Sequence, residues 1–333
     1  MTAILLTHPP QVQQHYYSDE ALAALRALGE VRRNPLGREL STAELIEAAG
    51  NCEIIVTHRH VPGDRKLFAS LPSLVAFCRC AVDIRNVDVE AASSQGVLVT
   101  HASPGFIPAT AEWVLGAMIT LSRGIARCSS EYHAGRVPLP TMGRQLNGAT
   151  LGVIGYGQIG RYLCELALAL RMRVLVSDPY AQITSAGITQ TELARLLSES
   201  DFVVCLAIAN DETENLMNAS AFAKMKPGAF FINASRGNLV DEPALLRALD
   251  ENRVAGCAMD VGRAADQMPS PALARHPNVI ATPHLGGLTP QATLHQALET
   301  VAQVAEILKG HAPKGAVNAD RASRLARFRK NAI

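Results

Sequence analysis

The sequence predicts an α/β protein built from two parallel sheets, each covered by helices on both faces. Short, continuously apolar runs alternate with segments of helical periodicity, in one series over the first hundred residues and in another from Ala149 onward. Apolar strands joined by helices are typical of parallel sheets that are buried on both faces. The chain has 333 residues, of which 48% are hydrophobic, and this length is sufficient for two domains.

The first series contains four predicted strands and two predicted helices. The strands are Ala3–Leu6, Ile54–Thr57, Leu74–Cys78 and Val97–Thr100, and the helices are Ala21–Leu28 and Thr42–Ala49. A longer helix is predicted over Ala111–Arg127, opening near Pro108–Thr110. These elements predict a first α/β domain and a long helix that follows it.

The second series contains six predicted strands with helical segments between them. The strands are Thr150–Ile154, Arg173–Ser177, Phe202–Leu206, Phe230–Asn233, Ala255–Asp260 and Val279–Thr282. After Pro290 a helix is predicted to about Leu308, with Gly310 as its cap. This final helix has no sheet of its own in the sequence, so it could return to pack on the first domain.

Charge, cysteine usage and hydropathy exclude several classes of protein. The formal net charge is +1, so nothing global favours nucleic acid or an anionic membrane. The basic stretch Arg321–Lys330 is interpreted as a solvated terminal helix, with a polyanion-binding tail as the alternative. Seven scattered cysteines without a CxxC motif, no signal peptide and no apolar run of about 20 residues predict a cytoplasmic protein with reduced thiols.

A glycine-rich loop predicts a dinucleotide site. Residues 151–160 read LGVIGYGQIG, an apolar strand that runs into Gly155-x-Gly157-x-x-Gly160 and then into a helical pattern. Gly155 allows the tight turn, Gly157 lets the backbone approach a pyrophosphate, and Gly160 lets the helix pack on the strand. The helix N-terminus then presents free N–H groups to the phosphates. The intervening residues counted with this loop are Tyr156, Gln158 and Ile159.

An acidic residue after the next strand predicts which dinucleotide binds. The strand Arg173–Ser177 ends at Asp178, eighteen residues after Gly160. A carboxylate there can accept hydrogen bonds from both ribose hydroxyls and would repel a 2′-phosphate, which favours NAD over NADP. The alternative is a glycine turn with Asp178 as a helix N-cap.

Three downstream segments carry the predicted chemistry. Each ends a strand of the second series: Arg236 follows FINAS, Asp260 ends AGCAMD, and His284 follows VIATP. The carboxyl ends of parallel strands are where open α/β sheets bind ligands. An arginine can hold a carboxylate in a fork, and a histidine can exchange a proton with a carbonyl oxygen as hydride arrives or leaves.

These segments give the chain a resemblance to the D-isomer-specific 2-hydroxyacid dehydrogenase family, which includes phosphoglycerate dehydrogenase and hydroxypyruvate reductase. The matching motifs are GRQLNGATLGVIGYGQIG (143–160), MKPGAFFINASRGNLVDEPALLRAL (225–249) and NVIATPHLGGLT (278–289). By motif match, Arg236 is the substrate-binding arginine, His284 the acid/base, and Asp260 one of the cofactor-binding residues.

The resemblance also implies an architecture. A flavodoxin-like substrate domain, residues 1–102 and 287–333, would surround an inserted Rossmann cofactor domain, residues 103–286. It implies a homodimer formed largely through the cofactor domains, for which residues 129–148 would supply an arm. The extra C-terminal regulatory domain of long phosphoglycerate dehydrogenases is not expected.

The sequence departs from the family pattern at the third catalytic position. The family has a glutamate five positions after the aspartate matched by Asp260, which pairs with the histidine, and here that position is Ala265. Either the next residue, Asp266, pairs with His284 after a small loop shift, or His284 has no carboxylate partner or takes one from Asp260. A histidine without such a partner should titrate at lower pH, because nothing favours its charged form.

The substrate loop departs as well. A family segment of the type GVGVDNVD aligns with residues 81–88, AVDIRNVD, whose backbone N–H groups at Val82 and Asp83 are expected to hold the substrate carboxylate. Asp83 replaces a usual glycine and Arg85 a usual aspartate. Either Asp83 and Arg85 form a local ion pair, or the substrate differs, for example by carrying an amine or extra hydroxyls.

Three strands of the first series end in the dipeptide Thr-His, at His8, His58 and His101, with Arg59 and His60 nearby. Ordinary strand-end histidines are one interpretation, and a cationic rim for an anionic substrate group is another. No ligand spacing supports a metal site, so none is predicted.

Together these features predict an NAD-dependent oxidoreductase that transfers hydride between nicotinamide and a small 2-hydroxy acid. Two alternatives remain open, namely a related hydride-transfer enzyme with a different substrate, such as an imine-forming one, and an NAD(H)-sensing protein that has lost turnover.

Overall fold

The structure is a computed structural model that describes residues 1–329, except the side chain of Asp266. The chain divides into two compact units. The discontinuous unit consists of Met1–Phe106 together with the segment from Thr289 onward, and the central unit is Ile107–Leu288.

The discontinuous unit is organised around a five-stranded parallel sheet. Its strands are β1 (Ala3–Leu6), β2 (Glu30–Arg33), β3 (Ile54–Thr57), β4 (Ala76–Arg79) and β5 (Leu98–His101). Its first helices are α1 (Pro10–Tyr16), α2 (Asp19–Arg26), α3 (Thr42–Ala49), α4 (Arg65–Ser70) and α5 (Val89–Ser94). The strand order is β2-β1-β3-β4-β5, the doubly wound flavodoxin-like order that the resemblance implied.

Local chemistry explains most of these boundaries. Strands β1, β3 and β4 are fully buried, as expected for apolar strands inside a parallel sheet. Helix α3 begins with a capping box between Ser41 and Glu44. Strand β2 was not predicted, because its sequence EVRR is polar and partly exposed at the sheet edge.

The central unit is organised around a seven-stranded parallel sheet. Its helices are α6 (Ile107–Arg123), α7 (Ile125–His133), α8 (Gln158–Ala169), α9 (Leu193–Glu199), α10 (Ala219–Lys224), α11 (Glu242–Asp250) and α12 (Pro271–Ala274). Its strands are β6 (Thr150–Ile154), β7 (Arg173–Ser177), β8 (Ile188–Gln190), β9 (Phe202–Cys205), β10 (Ala229–Asn233), β11 (Val254–Met259) and β12 (Val279–Ala281).

The order of this second sheet is β12-β11-β10-β9-β6-β7-β8, with every pair parallel. The order reverses beside β6, so the carboxyl ends of β6 and β9 form the switch point at which ligands bind in open α/β sheets. The prediction of two doubly wound parallel-sheet domains with a Rossmann-type cofactor domain is confirmed.

Several boundaries in the central unit differ from the predicted elements by one to four residues, and two larger differences have local causes. The long helix predicted to Arg127 ends at Arg123, because Gly124 adopts a left-handed conformation with φ of 63° and caps the start of α7 at Ile125. Strand β8 was not predicted, since three residues at an exposed edge leave too short a pattern.

The chain then returns to the discontinuous unit through α13 (Pro290–Leu308) and, near the end of the described chain, α14 (Ala326–Arg329). Helix α13 buries Ala297, Val301, Val304 and Ile307 in the same apolar cluster as residues of β1 and β3. The final helix therefore packs on the first sheet, as the sequence suggested.

The basic stretch after Arg321 is not the solvated helix that the sequence predicted. It consists of short helical turns, and Leu325 and Phe328 are buried in the core of the discontinuous unit. Arg324 donates to the carbonyl oxygens of Leu71 and Leu74, each at 2.8 Å. The apolar residues between the charges decide this docking, and Lys330 lies outside the described residues. Within the described chain, no helix has the length and apolar character needed to cross a bilayer.

Candidate active site

The glycine-rich loop between β6 and α8 forms a tight turn whose glycines are required by space. Gly155 has φ of 95°, and a Cβ there would lie 2.7 Å from the backbone nitrogen of Ala207. A Cβ on Gly160 would lie 2.5 Å from the carbonyl oxygen of Gly155, so this glycine lets the first turn of α8 rest on the loop. The roles predicted for these two glycines agree with their geometry.

Gly157 is different, because a Cβ at this position would meet no atom within 4 Å. The residue is exposed and caps the N-terminus of α8, a helix of twelve residues whose first N–H groups lack intrahelical partners. Gln158 is exposed beside it and Ile159 is half-buried. The open space in front of a helix N-terminus fits the close approach of a pyrophosphate group.

The Tyr156 side chain points into the protein rather than to this opening. It is 8% exposed, and the guanidinium of Arg161 lies over its ring at 5.2 Å. Only its backbone belongs to the loop surface: its N–H donates to Asp178 Oδ2 at 2.7 Å.

Asp178 follows β7 directly and is held in place by three backbone donors. Besides Tyr156, the N–H groups of Tyr180 and Ala181 donate to its Oδ1 at 2.8 and 3.1 Å. The carboxylate is half-buried, and each of its oxygens can accept more than one hydrogen bond. These residues therefore fit a dinucleotide whose ribose hydroxyls donate to Asp178, with the phosphates at Gly157.

Arg236 lies where β10 has ended, and a network of the strand end fixes its backbone. Asn233 is fully buried, and its Nδ2 donates to the carbonyl of Arg236 at 2.9 Å. Ser235 Oγ donates to the carbonyl of Ala207 at 2.5 Å, which ties this loop to the end of β9. Arg236 itself is half-buried, and one guanidinium nitrogen donates to Ser235 O at 2.8 Å.

His284 follows β12 and has an unusual backbone conformation. Its φ is 53°, in the left-handed region that histidine adopts more readily than most residues with a Cβ. Its N–H donates to the carbonyl oxygens of Asp260 and Thr282, each at 2.9 Å. The neighbouring strand end therefore determines where the histidine lies.

The carboxylate of Asp260 holds the same loop through its side chain. It is 3% exposed and accepts hydrogen bonds from Thr282 Oγ1 at 2.6 Å and from the N–H groups of Leu285 and Gly286 at 2.8 Å. Sequence reasoning assigned Asp260 to the cofactor and missed this role. A contact with the cofactor stays a prediction.

The loop that carries Ala265 is anchored by a buried carboxylate. Glu242 is 6% exposed, and its Oε1 accepts a hydrogen bond from the N–H of Arg263 at 2.9 Å. Ala265 and Asp266 lie in a short 3₁₀ turn, Ala265–Gln267. The side chain of Asp266 lies outside the described residues, so its pairing with His284 stays a prediction.

In the discontinuous unit, Asp83 and Arg85 form the local ion pair that was one of the two interpretations. The Arg85 guanidinium donates to both carboxylate oxygens, at 3.0 Å from Nε and 2.6 Å from the terminal nitrogen. The hydrogen bond to Asp83 raises the pKa of Arg85. Val82 is half-exposed beside the pair, and its predicted contact with a substrate carboxylate is untested.

The strand-end histidines of β1 and β3 form one buried cluster. The rings of His8 and His58 lie 5.3 Å apart, and His58 Nδ1 is 2.6 Å from Glu39 Oε1. Burial, together with the charges of His58 and Arg79, lowers the pKa of His8 well below its usual value. His101 is apart from them at the end of β5, with Nδ1 3.0 Å from the carbonyl of Ala102.

The fold and the glycine loop define the class of the central unit. It is a Rossmann-type dinucleotide-binding domain, with an arginine and a histidine at the carboxyl edge of its sheet. Residues 115–286, more than half of the chain, match the family profile described as "D-isomer specific 2-hydroxyacid dehydrogenase, NAD binding domain". The chain belongs to the D-isomer-specific 2-hydroxyacid dehydrogenase family, and its central unit contains the NAD-binding domain of that family.

Relatives and solved structures agree with this assignment. The D-3-phosphoglycerate dehydrogenase of Synechocystis is 34% identical over 283 residues, which are 84% of this chain and 51% of the relative. The rat enzyme of the same name is 33% identical over 287 residues, 85% of this chain and 54% of the relative. The chain thus spans about half the length of these curated relatives.

Among solved structures, the TT0316 protein of Thermus thermophilus superposes with a TM-score of 0.84. It is 28% identical and covers 95% of this chain and all of its own. The similarity therefore includes both units of the fold, beyond the segment that the family profile matches.

Proposed function

We propose that this chain is an NAD-dependent oxidoreductase that transfers hydride between nicotinamide and a small D-2-hydroxy acid or its 2-oxo acid. The observation that supports this most strongly is that three features lie at the same edge of one sheet. The glycine loop, Arg236 and His284 all follow the carboxyl ends of strands in one sheet, and the buried Asn233 and Asp260 hold the segments that carry Arg236 and His284.

In the proposed reaction, a bound NADH would supply the hydride that the carbonyl carbon of the 2-oxo acid accepts. Arg236 binds the substrate carboxylate, because a guanidinium fork matches its two oxygens. His284 donates its proton to the carbonyl oxygen during reduction and takes it back during oxidation, so that the 2-hydroxy acid and NAD⁺ balance the 2-oxo acid, NADH and the proton. Asp260 positions the histidine by holding residues 282–286.

The experiment is a spectrophotometric assay of NADH oxidation with a panel of 2-oxo acids. His284→Ala should lower kcat by roughly a hundredfold or more, since general acid catalysis contributes about 10²–10⁴-fold. Arg236→Lys should mainly raise KM, because a lysine cannot form the bidentate pair. NADH binding to the wild type without turnover on any 2-oxo acid would contradict the proposal and favour the NAD(H)-sensing alternative.

The substrate loop belongs to the same proposal. Val82 and Asp83 are proposed to contact the substrate, with Asp83 neutralised by Arg85. An ion pair that occupies the Asp83 carboxylate supports an ordinary 2-oxo acid, because it reduces repulsion between Asp83 and the substrate carboxylate.

We also propose a homodimer formed through the central unit. The predicted arm, residues 129–148, carries apolar side chains that are largely exposed in the single chain, Val137 at 81%, Leu139 at 79% and Met142 at 99%. Exposed apolar side chains at such density are typical of interaction surfaces. Analytical ultracentrifugation of the wild type and of the double variant Leu139→Asp, Met142→Asp tests the dimer. A wild type that sediments as a monomer would contradict it.

All seven cysteines are free thiols, which supports a reducing, cytoplasmic location.

A further inference from the structure

The histidine cluster at the carboxyl ends of β1 and β3 contains polar side-chain atoms that form no hydrogen bond with the described protein atoms. His58 follows β3, with a side chain only 5% exposed, and Glu39 reaches it from the segment between β2 and α3. His60 lies two residues further, in a turn, and is exposed. The rings of His58 and His60 meet edge to face, with their centroids 5.0 Å apart.

Several polar atoms of this cluster are buried without a hydrogen-bond partner among the described residues. They are Glu39 Oε2, His58 Nε2 and both ring nitrogens of His8, a residue that is 1% exposed. A buried polar atom without a partner destabilises a protein by about 1–3 kcal/mol. Such atoms usually contact an ordered water or an ion. A carboxylate oxygen can accept a hydrogen bond from a water or coordinate a cation.

We propose that Glu39, His58 and His60 form a binding site for a divalent transition metal, with Zn²⁺ as the representative ion. Each of the three residues offers one ligand atom, and these atoms all lie within 4.8 Å of one another. Two imidazoles and a carboxylate form one of the ligand sets that zinc takes in proteins, with a fourth position left for water or another ligand. The sequence did not predict this site, since Glu39 lies nineteen residues before His58 and joins it only through the fold.

His58 Nδ1 and Glu39 Oε1 are hydrogen-bonded, and a bound cation would take the place of the proton between them. The two atoms are 2.6 Å apart, and ligands around a tetrahedral zinc lie roughly 3.4 Å apart at metal–ligand distances of about 2.1 Å. Binding would therefore replace this proton and open the pair slightly.

Nearby cations set the expected strength of binding. Arg59 Nε donates to His60 Nε2 at 3.0 Å and would be displaced by a metal at that nitrogen. Arg79 is fully buried and donates to the carbonyl of His58, and burial lowers its pKa to about 10. The positive charges of Arg59 at His60 and of Arg79 near Glu39 reduce the attraction for a divalent ion, so we expect weaker binding than at a closed structural zinc site.

The experiment is a Zn²⁺ titration of the chelator-treated full chain in competition with a chromophoric chelator, without NAD or substrate. Wild type should bind one equivalent, and Glu39→Gln and His60→Ala should each weaken binding about tenfold or more. These side chains are not deeply buried, so both variants should fold, which wild-type thermal midpoint and resistance to limited proteolysis of the discontinuous unit check. His311→Ala is the matched control, because His311 Nδ1 lies 3.2 Å from Glu306 Oε2, outside the cluster, and Glu306 also pairs with Lys309.

Three results would overturn the proposal. One is the absence of a saturable equivalent, and another is unchanged affinity in both Glu39→Gln and His60→Ala. The third is a thiolate-to-metal charge-transfer band on Co²⁺ substitution, which would place the ion at a cysteine. None of these results depends on turnover, so the assay is independent of the proposed dehydrogenase activity.

Discussion

Asp260 and His284 show how one buried carboxylate determines the position of the side chain proposed as the acid/base. The left-handed backbone of a residue with a Cβ is unfavourable by roughly 1–2 kcal/mol. Three hydrogen bonds to the Asp260 carboxylate surround that conformation and offset this energy. A hydrogen bond to a charged group contributes about 1.5–3 kcal/mol when it is buried.

A sequence could not reveal this role. Two of the three donors are backbone N–H groups of Leu285 and Gly286, which any sequence would provide. Only the adjacency of β11 and β12 brings them to the aspartate. By contrast, the positions of Arg236 and His284 after the ends of β10 and β12 could be predicted, because those apolar strands are visible in the sequence; their chemical roles stay predictions.

Asp266 is the residue-scale prediction. We propose that it supplies the negative charge that the family glutamate provides elsewhere, so Asp266→Asn should destabilise the protonated imidazole of His284. Reduction needs that proton, so the limb of the pH–rate profile on which reduction is lost should move to lower pH. The profile of kcat/KM with a 2-oxo acid measures it, with NADH affinity as the control. An unchanged profile would show that Asp266 is not the partner.

At the scale of elements, the glycine loop separates a binding role from a packing role. Gly157→Ala should leave the unfolding midpoint unchanged, because the methyl group meets open space. It should weaken NADH binding about tenfold, or 1.4 kcal/mol, by obstructing the approach of the pyrophosphate. Fluorescence titration with NADH and thermal unfolding measure the two effects.

Gly160→Ala is the matched variant for this prediction. Its methyl group would lie 2.5 Å from the Gly155 carbonyl oxygen, so the free energy of unfolding should fall by about 1–3 kcal/mol. Wild-type affinity for NADH in Gly157→Ala would contradict the assignment of this opening to the phosphates.

Asp201 carries the pH prediction at the same scale, because it links three elements. It precedes β9, accepts the N–H of Thr150 at the start of β6 at 2.9 Å, and pairs with Lys226 after α10 at 2.7 Å. Burial alone raises the pKa of Asp201, but the hydrogen bonds from Lys226 and Thr150 hold the pKa below its usual value.

Because the pKa is lowered on folding, the stabilisation is present above the unfolded pKa of about 3.9 and is lost as pH falls further. Asp201→Asn should lower the free energy of unfolding by about 1 kcal/mol at pH 7, and the difference from wild type should shrink below about pH 4. Urea unfolding at pH 7 and 3 measures this, with the exposed Asp211→Asn as control. A difference that does not change with pH would refute it.

The elements themselves divide by burial into those that a sequence reveals and those that it does not. Strands β1, β3, β6 and β7 were predicted to the residue, because they are apolar between polar flanks. Strands β2 and β8 were missed since both lie at sheet edges with polar or few residues. Pairing with a neighbour, and not their own pattern, makes them strands.

At the scale of the molecule, Asn318 joins the last described segment to the first sheet. Its side chain is 2% exposed; Oδ1 accepts the N–H of Val99 at 2.8 Å, and Nδ2 donates to Val97 O and Ser93 Oγ at 2.9 Å. This contact completes the edge of β5, together with a bridge between Thr100 and Ala316.

Asn318→Ala should therefore lower the free energy of unfolding by about 2–3 kcal/mol, because it leaves buried backbone groups without partners. Limited proteolysis should then cleave the segment after α13 sooner, while NADH still binds the central unit. The exposed Asn147→Ala is the control. Unchanged protease resistance and thermal midpoint in Asn318→Ala would contradict this account of the return segment.

The same return segment sets an order for synthesis on the ribosome. Val99 and Asn318 are 219 residues apart, so at about 5–20 residues per second roughly ten to forty seconds separate their emergence. The whole central unit is made in that interval and can fold first. Meanwhile the first hundred residues keep exposed the apolar face that α13 later covers. The first hundred residues of the nascent chain are therefore vulnerable to aggregation. Slow translation would lengthen this exposure, and a chaperone would bind the exposed apolar face.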